Sequence, residues 1–140
     1  MADLPLPDAK AWLTKALHDL EVARLAADAP SPILDVAVYH CQQAAEKAVK
    51  AFLVHHGQPV EKTHDIEVLV DLAADIEPAM DQLTEAADVL TPYASRFRYP
   101  NAAFATEPAR AEFDEALQHA QTIYDFVLGL VPPQAKPDSA

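Results

Sequence analysis

Glycine and cysteine are scarce in this chain of 140 residues. The two glycines, Gly57 and Gly129, are too few for a glycine-rich phosphate loop of the dinucleotide-binding or Walker type. Cys41 is the single cysteine, so no internal disulfide can form, and a reducing, cytoplasmic compartment is the simpler expectation. No apolar run approaches the roughly 18 residues of a membrane span, and the N-terminus lacks the pattern of a secretory signal.

Basic residues are also few. The chain has 10 Lys and Arg residues against 22 Asp and Glu residues, which gives a net charge of −12. A protein that tracks a phosphate backbone needs a basic face, so the overall charge excludes DNA from the expected partners. A small anionic ligand in a local basic pocket is still compatible with this charge.

Residues typical of strands are outnumbered by residues typical of helices. Val and Ile together number 15, whereas Ala alone numbers 28 and Leu 15. Ala and Leu lose little entropy in a helix, and apolar residues recur at the helical period throughout. We therefore predict an all-α fold, a five-helix antiparallel up-and-down bundle. It forms a single domain over residues 1–131, followed by a disordered tail over residues 132–140.

Prolines and capping residues locate the predicted helices. The first covers about residues 8–28, and the second covers about residues 32–56, with Ser31 as its N-cap and Gly57 after its end. The third begins near its N-cap Thr63, and the fourth runs from Pro78 to Pro92. The last begins at about residues 106–108, with Thr106 as its cap, and ends before residues 132–133.

Helix two carries a line of polar side chains opposite its core face, which contains Cys41. The line consists of Tyr39, Gln43, Glu46 and Lys50, with Gln42 and Lys47 at its edges. One interpretation is a solvated face in which Glu46 and Lys50 form an ordinary i,i+4 pair. The other is a binding face.

Two further positions are candidates for anion binding. His64 follows Thr63 at a helix start, where free N–H groups and the helix dipole favour an anion; the alternative is a side chain that packs on the end of the bundle. Arg96 and Arg98 flank Phe97, so their guanidinium groups can bind phosphate beside an aromatic ring. The alternative for both arginines is ion pairing with the eight acidic residues in the stretch 65–95.

Motifs for metal binding and for nucleophilic catalysis are absent from the sequence. There is no HExxH, no Glu-x-x-His, no cysteine pair, and no serine in a nucleophile turn. We therefore predict no catalytic residue, no metal site and no cofactor.

The segment YHCQQAAEKAVKA over residues 39–51 resembles the HEPN domain (higher eukaryotes and prokaryotes nucleotide-binding). So do Gly57, the Thr-His-Asp-Ile start at residues 63–66 and the Arg-Tyr-Pro segment at residues 98–100. The resemblance covers about residues 8–131. It implies a five-helix domain related in fold to the C-terminal domain of kanamycin nucleotidyltransferase.

The resemblance also implies partners and a site. Small members of this family are usually dimers and are often encoded beside a minimal nucleotidyltransferase, in pairs that resemble two-component or toxin–antitoxin systems. The likeness falls on Gln43, Glu46, Lys50, His64 and Arg98. We therefore expect a homodimeric binding subunit that partners a nucleotidyltransferase and binds a nucleotide through these residues and Arg96.

Two alternatives follow from the same sequence. Many HEPN proteins are metal-independent ribonucleases with an Arg, four to six residues, and then a His. None of the four arginines here has a His at that spacing, and Arg110 and His119 are separated by eight residues, which weighs against a ribonuclease toxin. The other alternative is a non-catalytic dimer in which the apolar stripe Phe113–Val131 forms the contact between two copies.

Overall fold

The fold is all-α, as predicted. A computed structural model describes residues 7–100 and 107–138, and within these ranges it contains α-helices and short 3-10 segments but no strand. The helices are α1 (Ala9–Asp28), α2 (Leu34–His55), α3 (Ile66–Ala74), α4 (Thr84–Leu90) and α5 (Arg110–Leu128). The 3-10 segments are Pro78–Leu83, Thr91–Ala94 and Pro133–Ala135.

The N-termini of helices α2 and α3 differ from the prediction. Helix α2 begins at Leu34, and Ile33 precedes it without a side-chain capping bond, so Ser31 is not its cap. Helix α3 is capped by Asp65, whose carboxylate accepts from the backbone N–H groups of Glu67 and Val68. Thr63 lies two residues earlier, and its hydroxyl accepts from the Asp65 N–H at 3.1 Å. The carboxylate of Asp65 reaches two free N–H groups, which the hydroxyl of Thr63 does not do.

The predicted fourth helix is divided by its prolines. Pro78 opens a 3-10 segment, and the α-helix itself spans only Thr84–Leu90 before a second 3-10 segment at Thr91–Ala94. Pro92 has no backbone N–H to continue the α-helical bonding pattern, which accounts for the change at this point. Helix α5 begins at Arg110, later than predicted, and the predicted cap Thr106 lies outside the described residues.

Gly57 ends helix α2 in the predicted way. Its φ is +76°, a left-handed conformation that side chains with a Cβ rarely adopt. The N–H of Gly57 donates to the Val54 carbonyl at 3.0 Å, and the N–H of Gln58 donates to the Leu53 carbonyl at 2.9 Å. The turn therefore satisfies carbonyls at the helix end and redirects the chain toward His64.

Helix α2 is the central element of the bundle, and both α1 and α5 pack against it. From Cys41 to Leu53 every side chain except Lys47 is buried. The stripe on α5 also packs into this core, with Phe113, Ile123 and Val127 at 2 % exposure or less. Because that stripe is filled by contacts within one copy, it does not form the contact between two copies considered above.

The C-terminal residues differ from the expectation of disorder. Pro133–Ala135 form a 3-10 turn that packs beside helix α1, and Pro137 is buried. Lys10 Nζ donates to the Asp138 carboxylate at 2.7 Å. Apolar burial at Val131 and Pro137 anchors a segment whose polar composition alone indicates disorder.

Burial of Cys41 predicts a pH dependence of stability. The thiol is fully buried, and desolvation raises its pKa from 9.0 to about 12, with a small opposing effect of Arg24. Above about pH 9 the unfolded chain loses this proton while the folded chain keeps it, so stability falls as pH rises toward the folded pKa. The loss has a limiting slope of about 1.4 kcal/mol per pH unit.

Urea unfolding of the wild type and of Cys41→Ala between about pH 8 and about pH 10.5 tests this linkage. We expect the wild type to lose stability more steeply than the variant in this range. Tyrosine titration affects both proteins equally and cancels in the comparison. Parallel pH profiles for the two proteins would contradict the assignment.

Candidate functional site

The polar line on helix α2 is buried rather than solvated. Gln42 is 0 % exposed, Gln43 9 %, Glu46 3 % and Lys50 7 %. The Lys50 ammonium lies 5.8 Å from the ring centre of Trp12 on α1, and the Glu46 carboxylate contacts His64 in the connection between α2 and α3. The interpretation as a solvated face is therefore wrong. A helical wheel predicts the core face of α2, but it does not show whether other parts of the fold bury the opposite face as well.

The carboxylate of Glu46 is the centre of a buried hydrogen-bond network. Its Oε2 accepts from Lys50 Nζ at 3.0 Å, and its Oε1 accepts from Gln42 Nε2 at 3.2 Å. Oε1 also lies 2.8 Å from Nδ1 of His64. Gln42 Nε2 further donates to the backbone carbonyl of His64 at 3.0 Å, and Gln43 Nε2 donates to Gln42 Oε1 at 2.7 Å. The network joins helix α2 to the residues that precede helix α3.

His64 is the point at which this network meets solvent. Its side chain is 67 % exposed, whereas that of Glu46 is 5 % exposed. An ionised carboxylate only accepts hydrogen bonds, so Nδ1 of His64 carries the hydrogen in this contact. The other ring nitrogen, Nε2, is then an acceptor in the neutral ring and a donor in the protonated ring. The carboxylate thus fixes the orientation of an accessible imidazole.

Arg98 lies next to the N-terminal half of the same polar line. Its guanidinium carbon is 5.0 Å from the ring centre of Tyr39 and 5.9 Å from that of Tyr99. Tyr39 stands one helical turn before Gln43 on α2. Arg98 is exposed, so its N–H donors are accessible while its plane is held by the aromatic ring.

Arg96 points to a different element. Its guanidinium lies 3.5 Å from the carboxylate of Glu112 on α5 and 4.8 Å from the ring centre of Phe97. The alternative of ion pairing between these arginines and the acidic stretch 65–95 is therefore not observed among the described residues. Burial, and secondarily Glu112, raises the pKa of the neighbouring Tyr93, whose hydroxyl lies 3.4 Å from the same carboxylate.

The six predicted site residues thus divide into two groups. The first group is one hydrogen-bonded network of Gln43, Glu46, Lys50 and His64. Arg98 lies near this network because its guanidinium contacts the ring of Tyr39 on the same face of α2. Arg96 is engaged by helix α5 and lies outside this arrangement.

The structure contains a second buried carboxylate, which is not among the site residues predicted from the sequence. Asp19 on α1 is 7 % exposed, and its two oxygens lie 2.8 Å from Nδ1 of His40 and 2.7 Å from Nζ of Lys47. The spacing contains a signal, because Asp19 falls three residues after the buried Ala16 and four before the buried Ala23. This cluster ties α1 to α2.

A pocket of about 110 Å³ opens beside Arg98. It lies between the first turns of helix α2 and the segment that follows α4, and its lining residues are Asp35, Val36, Tyr39, Tyr93, Phe97 and Arg98. The rings of Tyr93 and Phe97 stack with centres 6.0 Å apart and planes inclined by 19°. Over residues 7–100 and 107–138, no three His, Cys, Asp or Glu side chains come together as a metal site.

Comparison with known proteins agrees with this architecture. The family model of the HEPN domain matches residues 9–130. The crystal structure of TT1696 from Thermus thermophilus superposes with a TM-score of 0.73 at 35 % sequence identity, covering 88 % of this chain and 98 % of that one. The crystal structure of an archaeal HEPN homologue superposes with a TM-score of 0.71 at 27 % identity, covering 91 % of this chain and 100 % of that one. No match was found among curated proteins.

The fold and the family-model match thus define a five-helix domain of the HEPN type. The chain belongs to the HEPN family, and the resemblance seen in the sequence is confirmed. Within its described residues, no helix is long and apolar enough to cross a bilayer.

Proposed function

We propose that the chain is a nucleotide-binding HEPN subunit that forms a homodimer and partners a minimal nucleotidyltransferase. The observation that carries nucleotide binding is the exposed Arg98 guanidinium held 5.0 Å over Tyr39, on the helix face that also carries the His64 network. A fixed guanidinium is a strong phosphate donor, and an aromatic ring beside it suits a base or a sugar.

The residues of this face have different proposed roles. Arg98 and the exposed ring edge of His64 are the groups that reach a phosphate. Lys50 is 7 % exposed and already paired with Glu46, so its charge is engaged inside the protein. We assign Gln43, Glu46 and Lys50 the role of positioning His64, since a carboxylate with a cationic partner holds the imidazole in place.

Removal of the Arg98 side chain tests nucleotide binding. We expect Arg98→Ala to weaken binding of a fluorescent nucleoside triphosphate by about 10- to 100-fold, the range for hydrogen bonds to charged groups. Arg24→Ala is the matched control, because Arg24 is an exposed arginine on α1 that donates to Gln121. Equal affinity of wild type and Arg98→Ala in titrations at one salt concentration would contradict the proposal.

Homodimer formation is supported by exposed apolar side chains at the α1–α2 turn. Leu25 is 72 % exposed, Val22 38 % and Ile33 49 %. The Ile33 N–H donates to the Ala26 carbonyl at 2.9 Å, so Ile33 lies beside the residue that follows Leu25. Large apolar side chains grouped on a surface are typical of contacts between subunits.

The partnership with a nucleotidyltransferase is supported by the net charge of −12, which suits a basic partner surface. Affinity purification of the tagged protein from its own cells, followed by mass spectrometry, tests it. Stoichiometric recovery of a nucleotidyltransferase is the expected result. Recovery of the protein alone would remove the partnership from the proposal and leave nucleotide binding to be judged by the Arg98 titration.

A further inference from the structure

The pocket next to the proposed phosphate donor Arg98 is lined by the aromatic side chains of Tyr39, Tyr93 and Phe97. Its volume of about 110 Å³ lies well below the roughly 300–1,000 Å³ of sites that enclose a drug-sized ligand. A pocket of this size with aromatic lining suits one planar ring system in contact with aromatic side chains. The remainder of such a ligand stays outside, next to the exposed Arg98.

Asp35 and Arg98 are the charged residues among the side chains that line this pocket. No Lys, Arg or His side chain of the described ranges lies within 4.0 Å of the Asp35 carboxylate, whereas Asp19 and Glu46 both have such partners. An ionised carboxylate only accepts hydrogen bonds. A ligand in this pocket therefore meets an acceptor with two oxygens on the side of Asp35 and donors on the side of Arg98.

Among the common bases, guanine matches this acceptor best. Its N1–H and its amino group are adjacent donors that can bond to the two oxygens of one carboxylate in parallel. Adenine and cytosine each place an acceptor nitrogen beside their amino group, and uracil places its N–H between two carbonyl oxygens. Both arrangements bring an acceptor against the carboxylate, which leaves a polar group unpaired on binding.

We propose that this pocket binds the base of a guanine nucleotide, with Asp35 bonded to N1–H and the amino group and Arg98 next to the phosphate. The inference rests on the proposed nucleotide binding and adds the base that is selected. It also assigns roles in base recognition to Asp35, Tyr93 and Phe97. These three residues are not among the site residues predicted from the sequence.

A series of nucleoside monophosphates tests base selection with the wild-type chain alone. We expect guanosine monophosphate to bind about tenfold more tightly than inosine monophosphate, which lacks the amino group and one hydrogen bond to a charged acceptor. Xanthosine and adenosine monophosphates are expected to bind more weakly still, because each brings an acceptor against the carboxylate. Isothermal titration calorimetry at constant salt measures all four.

The variant Asp35→Asn alters the acceptor pair directly. The amide oxygen of Asn can accept from the N1–H of xanthine, and the amide N–H can donate to the neighbouring carbonyl of xanthine. We expect the preference for guanosine over xanthosine monophosphate to fall by about tenfold or more. Asp81→Asn is the matched control, since Asp81 is an exposed carboxylate in the 3-10 segment before α4. Because the wild-type series does not depend on a variant, it tests the proposal even if Asp35→Asn fails to fold.

The outcomes separate this inference from the proposed function. Equal binding of all four monophosphates by the wild type would overturn guanine selection while nucleotide binding stands. Failure to bind any of them, or the triphosphate used with Arg98→Ala, would overturn both. Competition between guanosine monophosphate and a short RNA that ends in guanosine shows whether the pocket prefers a free nucleotide or the end of an RNA. A preference for guanine in either form supports the pocket assignment.

Discussion

Replacement of Glu46 by alanine is expected to lower the free energy of unfolding by about 3–5 kcal/mol. The Glu46 side chain is 5 % exposed and lies 3.0 Å from the ammonium of Lys50, whose side chain is 8 % exposed. Without the carboxylate, Lys50 remains as a buried charge with no partner, and Gln42 and His64 each lose a hydrogen bond. Thermal and urea unfolding measure the loss.

Two variants serve as controls for this prediction. Glu85→Ala removes an exposed carboxylate on α4 and is expected to change stability by no more than about 0.5 kcal/mol. The double variant Glu46→Leu with Lys50→Met replaces both charges by apolar groups and is expected to recover much of the stability. If Glu46→Ala and the wild type have the same free energy of unfolding, the network contributes little to stability, which would contradict the prediction.

Substitution of Leu25 by aspartate is expected to raise the dissociation constant of the homodimer by about 30-fold or more, the effect of removing an interface hot spot of about 2 kcal/mol. Leu25 is 72 % exposed in the single chain, so the substitution leaves the fold of the monomer intact. Sedimentation velocity over a range of concentrations measures the monomer–dimer equilibrium. Leu72→Asp, at 38 % exposure on α3, is the control at a position outside the α1–α2 turn. A wild-type chain that sediments as a monomer at all concentrations would overturn the dimer proposal.

Periodicity and composition predicted the fold class but not every helix boundary. The helical rows that contain Leu13, Cys41 and Phe113 are buried as expected, because burial of an apolar face is a local property of the sequence. Caps were predicted less well: Asp65 rather than Thr63 is the N-cap of α3. Neighbouring candidates for a cap differ by fractions of a kcal/mol, and the outcome depends on which one reaches the free N–H groups.

The candidate site shows what local patterns cannot predict. The line of polar residues on α2 was recognised, yet its burial depends on elements distant in sequence, such as Trp12 on α1 and His64 before α3. Asp35 is separated from Arg98 by more than sixty positions, and only the packed bundle brings both to one pocket. Side chains of this kind are found together only when the tertiary structure is known.

The enclosure of helix α2 has a consequence for the motions of this protein. Its backbone amides between Cys41 and Leu53 lie under side chains that are buried at every position except Lys47. Hydrogen exchange at these amides requires opening of the whole bundle, so they are expected to exchange last, at rates set by global unfolding. A ligand on this helix face therefore acts on a rigid support. The amides of the short segment Thr91–Ala94 and of the residues around His64 are expected to exchange faster. Changes in hydrogen exchange on ligand binding are therefore expected at those amides.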